Sequence, residues 1–310
     1  MIAFIFPGQG SQYAGMGKDL ADSSPAAARV FEEADQALGF SLSRLCFEGP
    51  AEELQLTENT QPAILATSIA ATAALQETGV HAPDYVLGHS LGEYSALVAS
   101  GSLLFSDAIR IVRERGRYMQ EAVPLGTGAM AAVMGSSLPD IENACAEASQ
   151  GEVCSPANIN SPNQVVIAGN TGAVDRASEL LRTRGAKRVI ALKVSAPFHC
   201  SLMLPAQTRL ASDLDQTVFA DLRYPLVTNV DAQILAGLGT AARQALIRQV
   251  SSPVRWWESI ELLIAQGVDK FVEVGPGKVL TGLLRQINRE VRSFNVEDSA
   301  SLEAIRSSLV

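Results

Sequence analysis

Imidazole is scarce in this chain: its 310 residues include only three histidines, His81, His89 and His199. A reaction that needs a base near neutral pH has few side chains to choose from. Aromatic residues make up 5% of the sequence and charged residues 18%, beside a hydrophobic fraction of 47%. That balance excludes a disordered chain and supplies a sizeable core. The four cysteines, Cys46, Cys145, Cys154 and Cys200, form no C-x-x-C pair and no metal-ligand spacing. They read as reduced thiols of a cytoplasmic protein with no metal. A net charge of −9 argues against nucleic acid or anionic membrane as partners of the whole surface. The apolar stretch from Pro62 to Leu75 is interrupted by Thr67, Ser68 and Thr72, so no bilayer span is expected. Met1 to Phe6 lacks a basic segment and meets Pro7-Gly8 too early for a signal peptide.

What is present is an alternation of short apolar runs and helical patterns. Ile2 to Phe6 reads as a buried strand, followed by the glycine-rich loop Gly8-Gln9-Gly10-Ser11-Gln12. Helices are expected from Pro25 to Leu38, with Ser24 as cap, around Gln61 to Thr78, and from Asp107 to Val123. The rhythm changes after about Met130. Strand Ala129–Met134, helix Pro139–Ser149, strands Val153–Ile159 and Gln164–Ala168, helix Ala173–Arg184 and strand Arg188–Val194 follow in β-α-β-β-α-β order. That is the split arrangement of a ferredoxin-like unit. Residues 126–195 therefore read as a small unit inserted into a larger one formed by residues 1–125 and 196–310. Strands Pro225–Val230 and Lys270–Val274, with helices Gly239–Gln249, Trp256–Gln266 and one from Val279, complete a mainly parallel α/β sheet.

The pentapeptide Gly88-His89-Ser90-Leu91-Gly92 has the G-x-S-x-G form of a nucleophile elbow, between a short strand at Tyr85–Leu87 and a helix at Glu93–Ser100. Ser90 is the candidate nucleophile, against the alternative of a glycine-rich packing turn. Its hydroxyl needs a base. His81 sits in a polar loop, and His89 lies inside the elbow with its side chain expected to point away. His199 follows a strand in the loop Ser195-Ala196-Pro197-Phe198-His199 and is the candidate base. No acidic partner for His199 is evident, so a backbone or amide carbonyl would set its tautomer. Arg115 shares a helical stripe with Ile111 and Met119 on an apolar face. A cation there suits a buried ion pair or a snorkelling side chain as well as a substrate carboxylate. The Gly8–Gln12 loop can present N–H groups to an oxyanion; it lacks the dinucleotide pattern, and Gly275-Pro276-Gly277-Lys278 is not a P-loop but a helix entry.

Together these motifs resemble the malonyl-CoA:acyl carrier protein transacylases of bacterial type II fatty-acid synthesis. The resemblance runs the length of the chain. It is carried by Phe6–Gln12, Gly88–Tyr94, Arg115-Gly116, Met119-Gln120, Asn160-Ser161-Pro162 with Gln164-Val165-Val166, Ala196–His199, Ser252–Trp256 and Glu273–Gly277. It implies an α/β-hydrolase-like large subdomain with a ferredoxin-like small one. It also implies a ping-pong acyltransferase in which Ser90 takes a malonyl group from coenzyme A and passes it to a phosphopantetheine thiol. His199 would be base and then acid; the N–H groups of Gln9 and Leu91 would form an oxyanion hole. Arg115 would hold the malonyl carboxylate, a carbonyl near Gln249 would orient His199, and Gln61 and Asn160 would wall the pocket. Leu91 and Phe198 look like the set that accompanies malonyl rather than a 2-methyl extender. Coenzyme A would enter as substrate, with no cofactor. The acidic carrier protein would dock on a basic face; Arg182, Arg184, Lys187, Arg188 and Lys193, or Arg285, Arg289 and Arg292, concentrate positive charge. A serine thioesterase or esterase, an acyltransferase for another extender unit, and a non-catalytic carrier-docking module remain the competing expectations.

Overall fold

The computed structural model describes residues 1–124, 126–194 and 196–309. Leu125 and Ser195, the expected junctions of the inserted unit, lie outside the described residues, as does Val310. The strands are β1 (Ile2–Phe6), β2 (Tyr85–Gly88), β3 (Gly128–Met134), β4 (Cys154–Ser161), β5 (Gln164–Asn170), β6 (Arg188–Ala191), β7 (Leu222–Val227), β8 (Ile234–Gly237), β9 (Lys270–Val274) and β10 (Arg292–Val296). The first helices are α1 (Lys18–Ser23), α2 (Pro25–Leu38), α3 (Leu42–Glu48), α4 (Ala51–Leu54), α5 (Thr57–Glu77), α6 (Gly92–Ala99) and α7 (Phe105–Glu121). They are followed by α8 (Leu138–Ser149), α9 (Thr171–Thr183), α10 (Leu204–Asp215), α11 (Gly239–Gln249), α12 (Trp256–Ala265), α13 (Val279–Ile287) and α14 (Ser299–Leu309).

The strands form two sheets. A six-stranded sheet has the order β10-β9-β1-β2-β7-β8, parallel except where β8 returns against β7. Both its faces are covered. Phe4 and Phe6 face the core packed by α2, α5 and α7, while Ala3 and Ile5 face Trp256, Ile260 and Leu263 of α12. Burial on both faces explains why β1 reads as an unbroken apolar run rather than an alternating one. A four-stranded sheet has the order β4-β5-β3-β6, antiparallel throughout. With α8 and α9 between its strands, this is the expected ferredoxin-like arrangement. One face, through Ala131, Val133 and Ile167, packs on α8 and α9, where it meets Leu181; the other, through Met130, Ala132 and Val166, joins the large core.

The small sheet is also tied to the large unit by backbone. Ile159 N donates to Val254 O at 2.9 Å, and Val254 N donates to Ala157 O at 2.9 Å. The last strand of the small sheet is shorter than its apolar pattern suggests. β6 leaves the sheet after Ala191, and Leu192 and Val194 turn to wall the cavity described below. Basic residues on this unit are partly neutralised: Arg182 pairs with Glu179 and Arg184 with Glu147. Among the described residues, no helix is long and apolar enough to cross a membrane.

Candidate active site

The elbow depends on contacts that only glycine permits. A Cβ at Gly92 would lie 2.1 Å from the Phe6 carbonyl oxygen, and one at Gly88 would lie 1.9 Å from the Gly92 carbonyl carbon. Strand β1, the turn and the start of α6 can therefore close on one another. Ser90 at the apex has φ 53°, the left-handed region. Such backbone costs on the order of 1–3 kcal/mol and persists only where the surroundings impose it. Here Ser90 N donates to Asn229 Oδ1 at 2.7 Å, and Asn229 Nδ2 donates to Gly88 O at 2.7 Å. Asn229, just beyond β7, thus clasps both sides of the turn.

His199 reaches the same point from the loop after the small sheet. Its Nε2 lies 2.7 Å from Ser90 Oγ, and its Nδ1 lies 3.0 Å from the carbonyl oxygen of Gln249, the last residue of α11. A carbonyl only accepts, so Nδ1 carries the proton and Nε2 accepts from the serine hydroxyl. The ring is 3% exposed, and burial, then the nearby Arg115 guanidinium, holds its pKa down at about 3. The imidazole is therefore neutral and available as a base at neutral pH. His199 also has left-handed backbone, with φ 59°.

Arg115 completes the cluster. α7 lies close on the start of α5 because Gly116 has no side chain; a Cβ there would meet Thr57 O at 2.6 Å. This approach brings Arg115 Nη1 to Gln61 Oε1, donating at 2.7 Å. Nη2 donates to Gln249 Oε1 at 2.9 Å and to Ser90 Oγ at 3.1 Å. The guanidinium also lies 5.5 Å from the Tyr94 ring centroid. Arg115 is only 2% exposed, and among the described residues no carboxylate bonds to it. Burial lowers its pKa. The nearest acid in the network is Glu93, one amide away: Gln249 Nε2 donates to Glu93 Oε2 at 2.8 Å. Burial raises the Glu93 carboxyl to about 7.

A cavity of about 130 Å³ opens beside these groups. Its volume is roughly four water molecules' share of liquid, the scale of a three-carbon acyl group. Ser90, His199, Arg115, Gln9, Gln61, Leu91 and Phe198 line it, so seven of the sequence-derived candidates converge on one space. Among the described residues, the backbone N–H groups of Gln9 and Leu91 form no hydrogen bond, as an oxyanion site requires. The other two candidates stand behind the lining: Gln249 through the contacts above, and Asn160 through its Oδ1, which accepts from His89 Nε2 at 2.8 Å. His89 is among the residues that line the cavity, and its ring is turned toward the small sheet, where it meets Asn160. Asn229 and Glu93 were missed. Glu93 follows the elbow directly in sequence, but nothing local reveals that Asn229, 139 residues further on, holds Ser90.

The chain is similar to known proteins over nearly its whole length. The model of the acyl transferase domain matches residues 3–305. A malonyl CoA-acyl carrier protein transacylase of Escherichia coli (strain K12) is 52% identical over 303 residues, covering 98% of each chain. The crystal structure of an acyl carrier protein S-malonyltransferase from Vibrio cholerae superposes with a TM-score of 0.95 at 48% identity, covering 98% of this chain and 99% of that one. A malonyl-transacylase solved in complex with a type II PKS acyl-carrier protein gives a TM-score of 0.96 at 48% identity, covering 99% of both chains. With a family model that matches residues 3–305 and relatives about half identical over nearly its whole length, the chain belongs to the acyl transferase domain family.

Proposed function

We propose that this chain transfers the malonyl group of malonyl-CoA to the phosphopantetheine thiol of an acyl carrier protein, through an ester on Ser90. The observation that carries the reading is Arg115: a buried guanidinium with no bonded carboxylate among the described residues, held 3.1 Å from Ser90 Oγ. A buried cation without an anion is costly, and a diacid thioester supplies one at the right distance. The names of the relatives, and the carrier-protein complex among the solved structures, support the same substrates.

In the first half-reaction, Ser90 Oγ attacks the thioester carbonyl while its proton passes to His199 Nε2. The Gln9 and Leu91 N–H groups receive the developing oxyanion. The imidazolium, held by Gln249 O, returns the proton to the departing coenzyme A sulfur. In the second half, the carrier thiol gives its proton to His199 and attacks the ester, and the proton then returns to Ser90 Oγ. Serine, histidine and thiols carry every proton, so coenzyme A serves as substrate and no further cofactor is called for. Gln61 positions Arg115, Asn160 positions His89, and Phe198 walls the acyl space.

We assign residues 126–195 to the inserted small subdomain and 1–125 with 196–310 to the catalytic one, which the two separate sheets support. A cytoplasmic setting fits the four unpaired, buried cysteines. The test is intact-mass measurement after mixing with malonyl-CoA alone. The expected result is a malonyl-sized gain on Ser90, absent from Ser90→Ala. Rapid release of free malonate without an accumulated ester would favour the hydrolase reading instead.

A further inference from the structure

Glu93 takes no part in these proton transfers, yet it is fully buried directly beneath the site. Its Oε2 accepts from Asn229 N at 3.1 Å and from Gln249 Nε2 at 2.8 Å. Its Oε1 has no hydrogen-bond partner among the described residues. Gln249 Nε2 also donates to Ser90 O at 2.9 Å and points at Asn229 Oδ1 at 3.4 Å. Three acceptors around one nitrogen decide which end of the amide faces them. The other end, Oε1, must then face Arg115, to which it is bonded at 2.9 Å. A flipped amide would turn its oxygen toward three acceptors and its NH₂ toward guanidinium donors. Arg115 would then lose one of its two amide acceptors.

We propose that Glu93 is the positioning residue of the Arg115 clamp: as a buried acceptor it fixes the Gln249 amide, and that amide aims the guanidinium at the acyl group's carboxylate. The inference rests on the malonyl reading above and deepens it. An arginine paired directly with a carboxylate would have its donor fork occupied. Here the acid lies one amide away, so the guanidinium is oriented by neutral oxygens and keeps its charge for the substrate. Only one oxygen of Glu93 is used, so the role is acceptance and a carboxamide can replace it, with its nitrogen at the unpartnered Oε1 position.

The test compares loading of Ser90 by malonyl-CoA and by acetyl-CoA in the full chain, its Glu93→Leu variant and its Glu93→Gln variant. Glu93→Leu fills the space without an acceptor. It is expected to lower kcat/KM for malonyl-CoA at least tenfold more than for acetyl-CoA, with the malonyl KM carrying the difference. Glu93→Gln is expected to restore most of the malonyl preference, and on an Arg115→Ala background Glu93→Leu should no longer alter the preference. Equal losses for both thioesters, an unchanged preference, or a Gln variant as impaired as Leu would each overturn the proposal. Thermal melts accompany the rates, and Glu93→Ala replaces the Leu variant should that one not fold. Wild-type protein that gains no malonyl mass on Ser90 would sink the malonyl reading itself; a wild type that loads normally beside an unmoved preference sinks the Glu93 role alone.

Discussion

Ser90 and His199 meet at 2.7 Å, and each does so from left-handed backbone, with φ 53° and 59°. The coincidence has a geometric cause. A residue at the apex of a tight turn projects its side chain away from the turn, clear of the neighbouring strands. Two such residues, one on the elbow and one on the loop after the small sheet, can then face each other across a gap that no regular helix or strand would leave open. The backbone strain is compensated by bonds elsewhere, notably from Asn229 to Ser90 N and Gly88 O.

That strain predicts a stability difference between two variants that the proposed mechanism makes equally inactive. Ser90→Ala and Ser90→Gly both remove the proposed nucleophile, but only glycine adopts left-handed backbone without a Cβ clash. Ser90→Gly should therefore unfold later in denaturant, by about 1 kcal/mol. Coincident unfolding midpoints would show that the elbow stores no such strain.

Arg115→Ala removes the cation that the acyl carboxylate would meet. A lost charge-assisted hydrogen bond in a buried site is worth about 3 kcal/mol, so kcat/KM for malonyl-CoA should fall about a hundredfold. Acetyl-CoA, which lacks the carboxylate, should be affected far less. Steady-state rates with both thioesters check this, and parallel losses would mean that Arg115 serves only the fold.

Much of this site was legible because its signals are local. The elbow's glycines, Phe198-His199 and the stripe Ile111-Arg115-Met119 are short patterns with a direct physical reason. The helix cap at Ser24 was equally plain, and its side chain does accept from Ala27 N. The fate of Arg115 was not decidable from its stripe, since spacing shows that a cation is buried but not whether an acid awaits it. Asn229 was invisible for the opposite reason: it lies in an irregular turn, and its value comes from a partner far along the chain. Helix α10 was overlooked although Ala206, Leu210 and Leu214 repeat at four-residue spacing after Pro205. Strands β8 and β10 lie at the sheet's two edges, where few buried positions leave a weak apolar signal.

The depressed His199 pKa has two consequences with definite signs. In catalysis, the proposed base stays neutral well below the ordinary histidine value, so protonation of the imidazole should not cause a loss of loading rate near pH 6.5. In stability, the unfolded chain gains a proton on this residue as pH falls below 6.5, while the folded chain does not until about 3. The folded state is therefore destabilised progressively across that window, by a few kcal/mol in all. Glu93, raised to about 7, has the opposite sign: between about 7 and 4.5 the folded state binds its proton first and gains stability as pH falls. Comparing wild type with His199→Gln isolates the histidine. The variant should lose less stability than wild type between pH 6.5 and 3 in denaturant titrations, and parallel curves would show that His199 is not held neutral by the fold.

Phe198 offers control over which acyl group is accepted. It is buried, lines the cavity and immediately precedes the proposed base; on the proposed mechanism its ring would limit the space beside the ester carbonyl. On that mechanism a 2-methyl group on the acyl chain would need volume that this ring occupies. Discrimination by one methyl in an apolar pocket is worth ~1–3 kcal/mol, a preference of roughly ten- to two-hundredfold. Phe198→Ala should therefore raise the ratio of methylmalonyl to malonyl loading by about tenfold or more, chiefly by admitting the larger group. The carboxylate of either acyl group would still meet Arg115, so malonyl loading should fall only as far as the enlarged cavity loosens its position. Competition of the two thioesters for Ser90, read by intact mass, measures the ratio directly. An unchanged ratio would assign the exclusion to other walls of the cavity, with Leu192 and Val194 on the segment beyond β6 the next to vary.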